Sequence, residues 1–121
     1  MTRKATGILG EELAGRFLLD HGYRIIDRNY RVREGEVDIV ATQNECLVFV
    51  EVRTKRSRIF GTSEESITEK KMEHLRTVAN KYRDTHDNLP QSWRIDVVCI
   101  ELNASGTPNR IEVIENAIED T

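Results

Sequence analysis

The sequence predicts a single α/β domain over residues 1–121, with its elements in the order α-β-β-β-α-β-β. Apolar residues recur at helical spacing between residues 8 and 22 and again between residues 69 and 82. The runs "VDIVA", "CLVFVEV" and "RIDVVCIEL" are rich in Val and Ile, which is typical of strands. A chain of 121 residues also suits one hydrophobic core.

The first helix is predicted from the spacing of Leu9, Leu13, Phe17 and Leu18, and Gly22 is a typical stop. The next segment, "YRIIDRNYRV", has the mixed polarity of a strand that is only partly covered. The run 47–52 is apolar on both faces apart from its end, so we expect it to lie at the centre of the sheet.

Two of the apolar runs, "VDIVA" and "CLVFVEV", predict a hairpin, because the polar "TQNE" between them carries a good turn residue. A two-residue turn at Asn44 and Glu45 opposes Asp38 to Glu51 and Glu36 to Arg53, all four on one face. A longer turn would shift this register. Opposed Cβ atoms lie about 5 Å apart, so two carboxylates repel there unless a cation neutralises them.

The second half of the chain begins with the loop "KRSRIFGTSEES", after which Ser66 and Glu69 match a capping box. The helix that follows places one apolar stripe towards the core: Met72, Leu75, Val78, Ala79 and Tyr82. The loop "DTHDNLPQS", the strand "RIDVVCIEL", a turn and the last strand "RIEVIENAI" complete the predicted order.

The net charge of −3 does not itself indicate a nucleic-acid binder, but the charges are unevenly distributed. Residues 53–71 carry six basic residues against three acids. We expect a cytoplasmic protein, since the first residues lack the apolar core of a signal peptide and no apolar run reaches transmembrane length. Cys46 and Cys99 are then expected to be free thiols, and a disulfide is the alternative. The three histidines are scattered without a zinc-binding spacing.

Most of the charged candidates have two interpretations. Asp38 and Glu51 are metal ligands or strand-end acids paired with arginines, and we favour ligands. Glu36 and Arg53 form a cross-strand ion pair or take part in catalysis. The run "RTKRSR" is a solvated loop or a phosphate-binding segment. Asp96 lies in a strand, where it can pair with Arg94 or Arg110.

A wider resemblance rests on "GILGEELA", "GEVDIV", "VFVEVRTK", "ITEKK" and "RIDVV". Together these segments resemble the YraN family of small bacterial proteins, in the PD-(D/E)XK superfamily, which is similar in fold to Holliday-junction resolvases. The resemblance covers most of the chain. It implies a restriction-endonuclease-like core, in which helices flank a central mixed β-sheet.

The same resemblance implies the site residues. Asp38 is the first acid of the motif and Glu51 the second, and Arg53 stands where lysine is usual. The first helix brings a further acid, for which Glu11 matches better than its neighbour Glu12, although a solvated acid in a first turn is the competing interpretation. Lys71, from the second helix, would lie near the same end of the sheet.

The first functional hypothesis is a metal-dependent nuclease-like protein acting on DNA phosphodiesters, branched or structured DNA included. Mg²⁺ or Mn²⁺ would be held by Asp38, Glu51 and the Val52 carbonyl. Charge on phosphorus would be stabilised by Arg53, Lys55 or Lys71, and the expected nucleic-acid contacts are Lys55, Arg56, Arg58 and Lys70.

The second hypothesis is a nucleic-acid-binding or protein-binding module on the same fold, without turnover. Arg53 keeps it open, because arginine does not deprotonate and cannot serve as a general base. The expected partner is nucleic acid, DNA above all, and no membrane is expected. A homodimer and a protein partner remain open.

Overall fold

The computed structural model describes residues 2–56 and 67–117. Its elements follow the predicted order: α1 Arg3–Asp20, β1 Arg24–Val32, β2 Gly35–Gln43, β3 Cys46–Lys55, α2 Glu69–Thr85, β4 Ser92–Leu102 and β5 Pro108–Ile114. Most of the predicted loop "KRSRIFGTSEES", with Arg58 and Ser66, lies outside the described residues.

The five strands form one mixed sheet in the order β1-β2-β3-β4-β5. All neighbours are antiparallel except β3 and β4, which run parallel. Helix α2 lies between β3 and β4 in the chain, as a parallel connection requires. The central position predicted for β3 is confirmed, and Leu47, Val48, Phe49 and Val50 in it are fully buried.

The hairpin of β2 and β3 has the predicted turn. Asn44 and Glu45 both adopt positive φ angles, 49° and 63°, as in the tight turns whose twist matches paired strands. Thr42 is paired with Leu47 and Val40 with Phe49, so the predicted register is confirmed. The paired ladder of β2 and β3 extends as far as Ile39 and Val50.

The two helices cover opposite faces of the sheet. Ala14 and Leu18 of α1 pack with one set of strand residues, which includes Val48 and Val50. The predicted apolar stripe of α2 packs with the alternate set, which includes Leu47 and Phe49. Because side chains alternate along a strand, this division places α1 and α2 on opposite sides of β3.

The first helix starts earlier than its apolar spacing suggests, at Arg3, with the Thr2 side chain accepting a hydrogen bond from the Ala5 N–H. Its predicted stop is confirmed. Gly22 has φ of +85°, and the Tyr23 N–H donates back to the Leu18 carbonyl at 3.0 Å.

The predicted capping box of the second helix is wrong. The N-cap is Thr68, whose hydroxyl accepts from the Lys71 N–H at 3.2 Å, and Glu69 is the first helical residue. Threonine is itself a good N-cap, and it stands next to the first helical residue, two positions after Ser66. The third helical position is therefore occupied by a lysine, which cannot complete a capping box.

Candidate functional site

A cleft of about 790 Å³ lies between the N-terminal half of α1 and the C-terminal end of β3. Two acids, Glu11 from α1 and Asp38 from β2, belong to its wall. The other lining residues are basic, small or neutral: Arg3, Thr6, Gly7, Val52, Arg53, Thr54, Lys55 and Arg56. The cleft therefore combines an acidic part with a basic part.

The close approach of α1 to β3 depends on Gly10. A Cβ atom at this position would lie 1.9 Å from the Thr54 hydroxyl oxygen and 2.8 Å from the Thr54 Cβ, so no larger residue fits without movement. At Gly7, one turn earlier, no atom from elsewhere in residues 2–56 or 67–117 lies within 4 Å of a corresponding Cβ position. Contact at Gly10 holds α1 close to β3, and the next residue, Glu11, lies in the wall of the cleft.

Asp38 lies where the paired ladder of β2 and β3 ends. Its Oδ2 atom accepts a hydrogen bond from the Val52 N–H at 2.7 Å, so the side chain supplies an acceptor to the backbone of β3. The Glu51 carboxyl is within hydrogen-bonding reach of Asp38. The structure thus brings together the two acids that the hairpin register opposes.

The crowding of these carboxylates is reflected in the protonation of Asp38. Burial, followed by the hydrogen bond and the negative charge of Glu51, raises the pKa of Asp38 to about 8. The Val52 N–H acts in the opposite direction and the charge of Glu36 adds to the increase. A bound cation would relieve this repulsion.

Glu11 is the third acid of this region. Burial raises its pKa, and the charges of Asp38 and Glu36 raise it further, whereas Arg28 lowers it. Glu12, with which it could be confused in the sequence, is exposed and does not line the cleft. The structure therefore places Glu11, not Glu12, beside Asp38.

Sequence reasoning missed Asn29, which lies next to these acids. With its amide nitrogen turned towards the acceptors, Asn29 donates to Glu11 Oε1 at 2.8 Å and to Glu36 Oε1 at 3.3 Å. Its φ angle is +51° although it lies within β1. The available signal was an asparagine in the middle of a strand pattern, where this residue is uncommon.

Glu36 has a partner on the neighbouring strand β1. Its carboxylate forms an ion pair with Arg31 at 3.0 Å, and these two residues are paired across the ladder of β1 and β2. The ion pair between Glu36 and Arg53 stays a prediction.

The basic residues of the cleft come from two elements. The predicted contacts Lys55 and Arg56 line it, as does Arg53, and the Arg56 Nη2 atom also donates to the Ala104 carbonyl at 2.7 Å. Arg3 lines it too and was not predicted, because its place depends on how α1 packs on β3.

The predicted basic residues of α2 lie elsewhere. Lys70 and Lys71 are exposed near the start of this helix, which covers the face of the sheet opposite α1, and neither is part of the cleft wall. The remaining predicted contact, Arg58, lies outside the described residues.

A metal ion would have few protein ligands here. Within residues 2–56 and 67–117, no group of three or more His, Cys, Asp or Glu side chains is placed to hold one. Two adjacent carboxylates, Asp38 and Glu51, still fit Mg²⁺ or Mn²⁺, which commonly bind through one or two carboxylates and complete their coordination with water and phosphate oxygens. The raised pKa of Asp38 fits the same cation, since crowded carboxylates favour a positive charge.

The other strand aspartate, Asp96, belongs to a structural network. It is fully buried and forms the predicted ion pair with Arg94 at 3.0 Å. The Tyr23 hydroxyl donates to it at 2.9 Å, and so does the Asn116 N–H. Asp96 therefore serves the fold, because its carboxylate is bonded to Arg94, Tyr23 and Asn116.

The fold is restriction-endonuclease-like in its element order and its mixed five-stranded sheet. It also carries acids where the paired ladder of β2 and β3 ends. Comparison with known sequences then gives the family. The profile described as "Uncharacterised protein family UPF0102" matches residues 10–100. The chain belongs to this family, which is the YraN family.

Similar proteins cover nearly the whole chain. A UPF0102 protein of Moorella thermoacetica is 44% identical over 117 residues, which are 97% of this chain and 98% of the relative. A relative from Dehalococcoides mccartyi is 45% identical over 116 residues, 96% of this chain and 94% of its own length. A third, from Roseiflexus castenholzii, is 43% identical over 120 residues, 98% of this chain and 96% of its own. Neither of the described helices is long and apolar enough to cross a membrane.

Proposed function

We propose that this protein is a divalent-metal-dependent nuclease-like protein that acts on DNA phosphodiesters in the cleft between α1 and β3. The observation that carries the proposal is the adjacency of Asp38 and Glu51 beside a cleft with basic walls. Acidic ligands attract a divalent cation, and basic side chains attract the phosphates on either side of the bond to be cleaved.

The carboxylates of Asp38 and Glu51, with the Val52 carbonyl, would hold Mg²⁺ or Mn²⁺. When bound, such an ion supplies Lewis acidity and a water of lowered pKa at neutral pH. The bond between the Val52 N–H and Asp38 Oδ2 fixes the orientation of that carboxylate before any ligand arrives. Preorganised ligands of this kind reduce the cost of assembling a site.

Arg53 lines the cleft next to these ligands and would bind a phosphate oxygen pair. Its guanidinium can stabilise negative charge on phosphorus but does not remove a proton from water. Lys55 and Arg3, also in the cleft wall, would contact the neighbouring phosphates. Lys71 lies outside the cleft wall in the described structure and is the weakest of the predicted catalytic residues.

The second candidate is a nucleic-acid-binding module without turnover. Arginine at position 53 and the absence of a three-carboxylate group among the described residues favour it. Both functions use the same cleft and the same basic side chains, so binding alone does not separate them.

A cleavage assay separates the two candidates. Labelled duplex, single-stranded and branched DNA would be incubated with the protein in Mn²⁺, in Mg²⁺ and in EDTA. A nuclease cleaves at least one substrate in metal and none in EDTA, and Glu51→Gln lacks this activity although it folds. If the wild type binds DNA but cleaves no substrate in either metal, the nuclease is contradicted and the second candidate, a binding module without turnover, is supported.

A further inference from the structure

Asn29 has a backbone conformation that its strand does not require. The ladder pairs Arg28 with Ile39 and Tyr30 with Val37, so Asn29 lies opposite Asp38. Its φ of +51° lies in the left-handed region, which few residues other than glycine adopt. Asparagine tolerates this region and is otherwise disfavoured in strands.

The side chain of Asn29 uses this conformation to contact two acids. A side-chain amide has two N–H donors. In Asn29 one points to Glu11 Oε1 at 2.8 Å and the other to Glu36 Oε1 at 3.3 Å. A neutral group thus separates two carboxylates that come from different elements, α1 and β2.

The surroundings of these acids contain both signs of charge. The positive charge of Arg28 favours the ionised form of Glu11, and Arg31 forms an ion pair with Glu36. The negative charge of an ionised Asp38 disfavours the ionised form of Glu11. Once the Asp38 carboxyl is ionised, as cation binding requires, its charge would disfavour this position of the Glu11 carboxylate unless another group holds it. The amide of Asn29 is placed to do this, because it is bonded to Glu11 and opposite Asp38.

We infer that Asn29 is a positioning residue, whose amide holds the Glu11 carboxylate beside Asp38 and so completes the acidic part of the cleft for a divalent cation. The inference rests on the proposed function for the identity of the ligand. Glu11 is not among the proposed ligands Asp38, Glu51 and the Val52 carbonyl, so it would act on the bound cation from outside the ligand set. Residues outside the ligand set commonly change metal affinity by about 10-fold to 100-fold when they are removed.

The variant Asn29→Gly tests the contribution of the side-chain amide separately from that of the backbone conformation. Asn29→Gly keeps the left-handed conformation, since glycine adopts it readily, and removes only the side chain. Asn44→Gly is the matched control, because Asn44 has nearly the same φ, 49°, in the hairpin turn and does not line the cleft. A role confined to backbone geometry predicts that both glycine variants behave alike.

The experiment is a double-mutant cycle in which Mn²⁺ affinity is measured by calorimetry for the full chain. Asn29→Gly should bind Mn²⁺ about 10-fold or more weakly, and Asn44→Gly less than about twofold more weakly. In a Glu11→Gln background Asn29→Gly should have little further effect, because its partner is already altered. An equal loss in both backgrounds, or unchanged affinity in Asn29→Gly, overturns the inference.

A metal-free measurement keeps the inference separate from the proposed function. If the wild type does not bind Mn²⁺, the proposed metal site is contradicted, and the contact between Asn29 and Glu11 is judged from thermal unfolding of the same four proteins. Asn29→Gly should lower Tm more in the wild type than in Glu11→Gln. Additive effects on Tm overturn the inference whether or not metal binds.

Discussion

Two aspartates in nearly identical sequence contexts, "VDIV" at Asp38 and "IDVV" at Asp96, have opposite environments in the fold. Asp96 is fully buried, and an arginine, a tyrosine hydroxyl and a backbone N–H compensate its charge. Asp38 accepts a hydrogen bond from the Val52 N–H and has the carboxyls of Glu51 and Glu36 as neighbours. Whether a strand acid is structural or a candidate ligand therefore depends on the side chains that surround it in the fold, not on the sequence on either side of it.

The largest expected effect is the loss of stability when buried Asp96 loses its cationic partner. Arg94→Met should destabilise the protein by about 3–5 kcal/mol, because Asp96 would remain buried without its cation. Urea unfolding gives the value. The control is Arg31→Met, which removes the partner of Glu36 from an exposed ion pair and should cost no more than about 1 kcal/mol. A loss of no more than about 1 kcal/mol in Arg94→Met, as in an exposed ion pair, would show that Asp96 does not depend on Arg94.

The next effect concerns the packing that covers Asp38. Gly10→Ala should destabilise the protein by about 1–3 kcal/mol, because the new methyl group collides with Thr54 and pushes α1 from β3. Gly7→Ala is the matched control in the same helix and should stabilise it by up to about 1 kcal/mol, since alanine is the better helix former and its methyl group meets no described residue within 4 Å. Thermal unfolding of both variants is the measurement. A stabilising Gly10→Ala would contradict the close contact at Thr54.

A smaller effect is expected in the pH dependence of stability, to which Asp38 contributes. The folded-state pKa of Asp38, about 8, is above the value of an unfolded aspartate, about 4, so its contribution to stability is complete below about pH 4 and is lost progressively as the pH rises from there to 8. Asp38→Asn removes this loss while the amide oxygen can still accept from the Val52 N–H. In metal-free buffer the variant should therefore gain Tm relative to wild type between pH 5 and pH 8, and little more above pH 8. A difference in Tm that stays constant with pH would contradict the assigned environment.

The smallest effect on stability concerns the basic part of the cleft. The double variant Arg3→Ala/Lys55→Ala should change the unfolding free energy by less than about 0.5 kcal/mol per site. If both side chains contact phosphates, the slope of log affinity against log salt on duplex DNA should flatten by about two units. Lys4→Ala/Arg16→Ala removes the same charge from exposed positions of α1 outside the cleft wall and should flatten it less. Equal slopes in the two double variants would exclude the cleft as the phosphate-binding surface.

The features predicted from the sequence are those set by local rules. Alternation and the turn at Asn44 and Glu45 gave the hairpin register, and the same register brought Asp38 and Glu51 together. Helical spacing gave the buried stripe of α2, but the capping box placed its start two residues too early, because Thr68 is the cap.

The features that could not be predicted depend on contacts between distant segments. The place of Arg3 in the cleft depends on Gly10 meeting Thr54, more than forty residues further along the chain. The role of Asn29 depends on its backbone conformation opposite Asp38 and on the approach of Glu11 from another element. The separation of Asp38 from Asp96 likewise depends on Arg94 and Tyr23, which no pattern around either aspartate reveals.

The most direct test of a metal site at Asp38 and Glu51 is thermal unfolding with and without Mn²⁺. At about a hundred times Kd, a ligand that binds only the folded state stabilises it by roughly 2.7 kcal/mol. We expect wild type and folded Asp96→Asn to gain Tm in Mn²⁺, whereas Asp38→Asn, Glu51→Gln and the double variant should not. A Tm gain that persists unchanged in the folded double variant would contradict the two-carboxylate site.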